Sequence, residues 1–198
     1  MARVPFVGLT GALGAGKSTA LTALERLGAA TLSTDDVVHE LYQCPQLRDA
    51  VVARWGEEVA PGGVVDRGAV AARVFAATPE REWLEGELWP RVTARVVDWL
   101  AEVRARQPPP AAAVVEVPLL FEAGMEEIYD ATVAISADEP VRAARAAGRG
   151  HVGAGERVAR HLPQEEKARR ATFAVDNTGT VPELERQLSS VLDRLRSS

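Results

Sequence analysis

"GLTGALGAGKSTA", residues Gly8–Ala20, decides the reading of this chain. Within it "GALGAGKS" (Gly11–Ser18) fits the spacing G-x-x-x-x-G-K-S/T. The apolar run "VPFVGLT" (Val4–Thr10) precedes it and reads as a buried strand. Thr19–Leu27 follows, with Leu21, Leu24 and Leu27 on one stripe and Gly28 as a stop, and reads as a helix. Between a strand and a helix, glycines at 11, 14 and 16 allow a tight turn whose N–H groups face an anion. The positive end of the helix adds to that field. Lys17 is expected to reach the outer phosphates, and the Ser18 hydroxyl to hold Mg²⁺. A dinucleotide fingerprint starting at Gly14 fits worse, because it needs glycine where Thr19 stands.

Working outward, short apolar runs alternate with helical patterns. Further strands are expected at Ala29–Ser33, Ala111–Val117, Ala131–Ser136 and Phe173–Thr178. A closing helix is expected from about Val181 to Leu195, with Leu184, Leu188, Val191 and Leu195 inward. Such alternation predicts an α/β fold with a five-stranded parallel sheet flanked by helices. Two stretches break the alternation. Residues 45–110 hold no strand pattern; Leu84, Leu88, Val92, Val96, Leu100 and Val103 recur at helical spacing, with Pro90 as an expected kink. This reads as a helical insertion, closed by Pro108–Pro110. Residues 142–170 are polar and arginine-rich and read as a mobile flap. The core is then 1–44, 111–141 and 171–198.

The 198 residues suit one domain with inserted lobes, and the 46% hydrophobic content can fill a core. A net charge of −5 disfavours a nucleic-acid partner. One cysteine, Cys44, forms no internal disulfide and fits a reducing cytosol. No signal-peptide pattern and no membrane-spanning apolar run are read, so the expectation is a cytoplasmic protein. His39, His151 and His161 are scattered without the spacing of zinc ligands.

The phosphate loop alone fits small-molecule kinases, GTPases and ATP-driven machines. The guanine-reading N-K-x-D is not found, and the length favours a small kinase. A second signal comes from "LSTDDVVHE", where a strand ends. In parallel sheets ligands gather at the carboxyl ends of strands. A carboxylate there can take the proton of an attacking hydroxyl. Asp35 is read as that base, and Asp36 as a residue that only caps the helix. Glu116, at the end of the third strand, could touch Mg²⁺ through water. Trp55, Trp83, Trp89 and Trp99 all lie in the insertion and read as core aromatics.

"GLTGALGAGKST", "LSTDDVVHEL", "VPLLFE" (Val117–Glu122), "RAARAAGR" and "LPQEEKARRATFAVDNTG" occur in an order that resembles the dephospho-CoA kinases. The resemblance spans most of the chain. It implies ATP-dependent phosphorylation of the ribose 3′-hydroxyl of dephospho-CoA, which completes coenzyme A. It also implies a P-loop NTPase core, a helical acceptor-binding lobe and a lid, at the two stretches that break the alternation. Residue by residue, Gly14, Ala15, Gly16, Lys17, Ser18 and Thr19 would hold the phosphates of ATP and its metal. Asp35 matches the family's base, with Lys17 and Arg145 completing the catalytic set. Pro118, Leu119 and Leu120 would shape the acceptor pocket, or else pack as core, and Glu122 would join them. Arg142, Arg145 and Arg149, at i, i+3 and i+7, share a helical face suited to closing over phosphates. Arg145 and Arg149 match the lid pattern, and solvation at the surface is the alternative for one of the three. Asn177 matches a residue near the adenine, or forms a turn beside Gly179. The chain departs from the family at Ser33, where Asp is common, at Trp89, where His is usual, at His161, where Gln is usual, and at Thr172, where Asp is usual. Trp89 bears on acceptor contacts of the helical lobe.

Overall fold

A computed structural model describes residues 3–147 and 161–197. Two compact units divide the chain: Met1–Ser33 with Leu100–Ser198, and Thr34–Trp99.

The first unit is built on β1 (Phe6–Gly11), β2 (Ala30–Ser33), β3 (Ala113–Glu116), β4 (Ala131–Ser136) and β5 (Phe173–Asp176). Every pairing is parallel and the order is β2-β3-β1-β4-β5. β1 is central and all six of its residues are buried. That burial explains why the run reads as continuously apolar rather than alternating. Its side chains still divide by face. Val7 and Leu9 join the main core with Leu21 and Leu24 of α1 (Lys17–Arg26) and with the C-terminal helix. Thr10, wholly buried, is approached instead by Lys167, as described below. The stripes expected on the first and last helices are inward: Leu184, Leu188 and Val191 are buried, and Leu27 and Leu195 pack at the edge of the core. Two boundaries differ from expectation. α1 begins at Lys17 rather than Thr19, because Gly16 in the left-handed region supplies its N-cap. β5 ends at Asp176, and Asn177 and Thr178 have already left the sheet.

The second unit contains α2 (Thr34–Leu41), α3 (Pro45–Trp55), α4 (Arg67–Ala76) and most of α5 (Thr78–Ala105). Two short 3-10 turns, Glu57–Val59 and Pro61–Gly63, join α3 to α4. Its core is Val51, Val59, Ala60, Val65, Val70 and Leu84. Trp55 and Trp83 meet edge to face with centroids 5.0 Å apart. The Trp55 indole N–H donates to Glu80 at 2.6 Å, so the polar edge of this half-buried ring is satisfied. The Asp66 side chain caps α4 by accepting from Gly68 and Ala69. The helical stripe in 84–103 forms, with Leu84 and Val103 buried and Leu88, Val92, Val96 and Leu100 half-buried. Pro90 sits inside α5, which continues through it. Trp99 is buried as expected, whereas Trp89 is 46% exposed.

The first unit is completed by α6 (Glu139–Ala147), α7 (Gln164–Arg170) and α8 (Val181–Arg196). A capping box between Thr180 and Glu183 opens α8. Among the described residues no helix is long and apolar enough to cross a membrane.

Candidate active site

At the carboxyl end of β1 the chain turns through Ala12–Gly16 and enters α1 with Lys17 and Ser18 in its first turn. Gly14 and Gly16 have φ of +78° and +90°, a region that residues with a side chain avoid. Gly11 has another role: it lies in β1, where an added Cβ would stand 2.5 Å from the Ile135 carbonyl oxygen. The expectation of a turning glycine there gives way to one that allows β4 to approach. No side chain caps the N-terminus of α1 and its first turn holds no acid. The amino end of α1, with the positive end of its dipole, is thus a setting that suits an anion.

Lys17 Nζ donates to the Gly11 carbonyl at 3.2 Å and lies 3.8 Å from Glu116 Oε1. Glu116 is 5% exposed, and its other oxygen accepts from the Ser33 hydroxyl at 3.1 Å. Parallel register sets this triad: Glu116 is the Cα partner of Leu9 on one side and of Ser33 on the other. One carboxylate at the end of β3 therefore links the phosphate-loop lysine to the last residue of β2. Ser33, a departure from the family's Asp, retains a polar role here.

From the other side, Asn177 and two arginines of α6 fasten the loop. Asn177 is 3% exposed, and its Nδ2 donates to the Ala15 carbonyl at 2.8 Å. Arg145 Nη1 donates to the Asn177 carbonyl at 3.0 Å and to that of Ala15 at 3.5 Å. Arg142 Nε donates to the Leu13 carbonyl at 3.1 Å and pairs with Glu139. The shared helical face expected for these arginines exists, and it meets backbone carbonyls of the loop. Arg149, the third of the row, lies outside the described residues.

Asp35 follows β2 by two residues and sits exposed in the first turn of α2, beside Asp36. Acids in a first turn are favoured by the helix dipole. Further along α2, Arg67 of α4 hydrogen-bonds His39 Nδ1 at 2.8 Å.

The segment after β3 carries Pro118 and Leu119, both half-buried, and Leu120, wholly buried. Glu122 is paired rather than stranded. Its Oε1 is 2.9 Å from Lys167 Nζ and accepts from the Leu162 amide at 2.7 Å. Burial pushes the Glu122 carboxyl up, but hydrogen bonds from Lys167 and from backbone amides outweigh it and hold the group below its ordinary range. Burial, and then the Lys17 charge, pull the Lys167 ammonium down against the opposing pull of Glu122. Lys167 itself escapes a sequence reading, because "QEEKARR" scores as a solvated helix. Thr172, another departure, exchanges hydrogen bonds with Thr132 and fixes the start of β5 to β4.

The model of the dephospho-CoA kinase family matches residues 5–183. The dephospho-CoA kinase of Deinococcus radiodurans is 36% identical over 192 residues, 96% of this chain and 91% of that protein. The crystal structure of TT1252 from Thermus thermophilus superposes with a TM-score of 0.79 at 31% identity, covering 98% of this chain and 99% of that one. The dephospho-CoA kinase structure from Campylobacter jejuni, at 21% identity, has a TM-score of 0.68 over 97% of each chain and speaks to the fold. A sheet in the order β2-β3-β1-β4-β5, a formed phosphate loop after its central strand, and a family match over most of its length make this chain a member of the dephospho-CoA kinase family.

Proposed function

We propose that the protein transfers the γ-phosphoryl group of ATP to the ribose 3′-hydroxyl of dephospho-CoA, the last step in making coenzyme A, and that it does so in the cytoplasm. The observation that carries this reading is the match to the family over residues 5–183 on a chain whose phosphate loop ends with Lys17 beside Glu116.

In this reading the N–H groups of Gly14–Thr19 and the Lys17 ammonium bind the triphosphate. They meet the charge that builds on the bridging oxygen as the P–O bond to ADP breaks. Asp35 accepts the proton of the 3′-hydroxyl as its oxygen attacks phosphorus. Arg145 and Arg149 bear on the transferred group and Asn177 on the adenine side. Asn177 and Arg145 also have a simpler task, which is to hold the loop in shape from behind. Pro118, Leu119, Leu120 and Glu122 line or support the acceptor side, with Leu120 acting from the core.

Ser18 and Glu116 offer hard oxygen donors, which suit Mg²⁺ held by one or two protein groups and by phosphates. Ser18 would bind the ion directly and Glu116 through water. The ion would neutralise phosphate charge. With a net charge of −5 the protein's partners are small molecules rather than nucleic acid.

The deciding experiment is coupled detection of ADP release with dephospho-CoA against a panel of nucleoside monophosphates and sugars. ADP release with dephospho-CoA, and phosphate found on its 3′-oxygen, is the expected result. Turnover of another acceptor but not of this one overturns the reading.

A further inference from the structure

Among the described residues Lys167 is the largest side chain buried to within 2% of complete, at 1% exposure. A lysine is seldom placed there without a reason, since removing its charge from water is costly. Its ammonium meets three oxygens: the Pro118 carbonyl at 2.7 Å, Glu122 Oε1 at 2.9 Å and Thr10 Oγ1 at 3.5 Å. Thr10 donates in turn to the same Pro118 carbonyl at 3.1 Å. These oxygens lie in two segments only. Thr10 is the residue before Gly11, where the phosphate loop begins. Pro118 and Glu122 bracket the segment that follows Glu116. The Glu122 carboxylate also receives the Leu162 amide, so α7 and the residues leading into it hold the segment at both ends.

We propose that the buried Lys167–Glu122 pair is a positioning device for the acceptor: it fixes the Pro118–Glu122 segment against the start of the phosphate loop, so that acceptor and γ-phosphate are held in register. This rests on the assignment of that segment to the acceptor side. Lys167 is closed off from solvent, so it acts through the segment and not on the substrate. If stability were its only use, an apolar side chain of similar volume would serve as well. What such a side chain cannot supply is a donor that ties one chosen carbonyl, that of Pro118, to one chosen carboxylate. The pair's effect should therefore fall on one substrate and spare the other.

The test separates positioning from stability. Lys167→Met with Glu122→Met removes both charges and keeps the volume. The expected protein melts within a few degrees of the wild type. Its KM for dephospho-CoA is raised about tenfold while its KM for ATP stays within about twofold, as a misplaced acceptor predicts. A folded double variant with the wild-type KM for dephospho-CoA overturns the proposal, as do equal rises in both KM values. If the double variant does not fold, Glu122→Gln takes its place. It keeps an acceptor oxygen for Leu162 and Lys167 but loses the charge, and a rise of about threefold in the acceptor KM alone is expected, an unchanged value overturning the proposal. Failure of the wild type to use dephospho-CoA would refute the assignment of substrate instead. The acceptor found in the panel then enters the same comparison.

Discussion

The Lys17 ammonium lies 3.8 Å from the Glu116 carboxylate, and both are largely shielded from water, with side-chain exposures of 15% and 7%. At that distance and burial the attraction is only weakly screened. Lys17 is thereby held at the mouth of the loop, where its second contact is the Gly11 carbonyl. Lys17→Ala is expected to lower kcat by about 100-fold or more, the scale seen when one preorganised donor is lost. Steady-state kinetics with ATP and dephospho-CoA check it, and activity within a few-fold of the wild type would refute the role given to the loop.

Glu116→Gln keeps the shape and removes the charge. The Ser33 hydroxyl can still donate to the amide oxygen, so folding should survive. Lys17 loses its carboxylate, and a Mg²⁺ ion held as proposed would lose an outer-sphere partner. A drop of about 10-fold to 100-fold in kcat is expected, with an increased Mg²⁺ requirement, since outer-shell partners of a metal commonly matter at that level. A magnesium titration of initial rates is the measurement.

Asp35→Asn tests the base. An exposed carboxylate in the first turn of α2 does little for the fold, so melting should change by no more than a few degrees. If it accepts the proton, kcat falls by about 10² to 10⁴ while ATP binding, followed by calorimetry, is nearly kept. Loss of ATP binding in step with kcat would place Asp35 in nucleotide binding instead.

The loop is also defended sterically. An added Cβ at Gly16 would stand 2.2 Å from Asn177 Nδ2, in a backbone with φ of +90°. Gly16→Ala should therefore abolish ATP binding. Pairing it with Asn177→Ala relieves the clash but not the backbone strain, so binding should not return. Asn177→Ala alone takes from the buried Ala15 carbonyl its 2.8 Å donor and leaves the weaker Arg145 contact, at a cost of about 1–3 kcal/mol. Its KM for ATP should rise about tenfold, with melting as the control.

Local chemistry makes the phosphate loop legible in the sequence: a strand, three glycines, a lysine and a serine at fixed spacing. The β-strands were legible because a sheet covered on both faces shows itself as short apolar runs, and the α5 stripe because its period is that of a helix. What stayed hidden depends on contacts between residues far apart in sequence. Asn177 and Ala15 are 162 positions apart, and Lys167 and Thr10 are 157 apart. The spacing of Arg142 and Arg145 predicts one helical face, but their hydrogen bonds to Leu13 and Ala15 exist only because β4 and β1 are neighbours. Lys167 defeats a hydropathy reading outright, because its burial is made tolerable by Glu122, 45 residues upstream.

That burial has a consequence at both ends of the pH scale. Glu122 is held below its ordinary carboxyl value of 4.5, so the unfolded chain binds its proton more readily. Its contribution to stability is full above that value and is lost as pH falls through the lower, folded one. Lys167 is held below its ordinary value of 10.5, so here too the unfolded chain binds the proton more readily. Stability contributed at this site rises with pH as the lysine passes from its folded value toward 10.5. Thermal melting from acid to alkaline pH should therefore show Glu122→Gln losing less than the wild type below pH 4.5. Lys167→Met should lack the alkaline gain. Glu80, Glu166 and Glu183 are also held low by their own partners and remain in every variant, so the differences isolate the buried pair. Parallel curves for wild type and Glu122→Gln in acid would mean that the carboxylate is no better stabilised folded than unfolded.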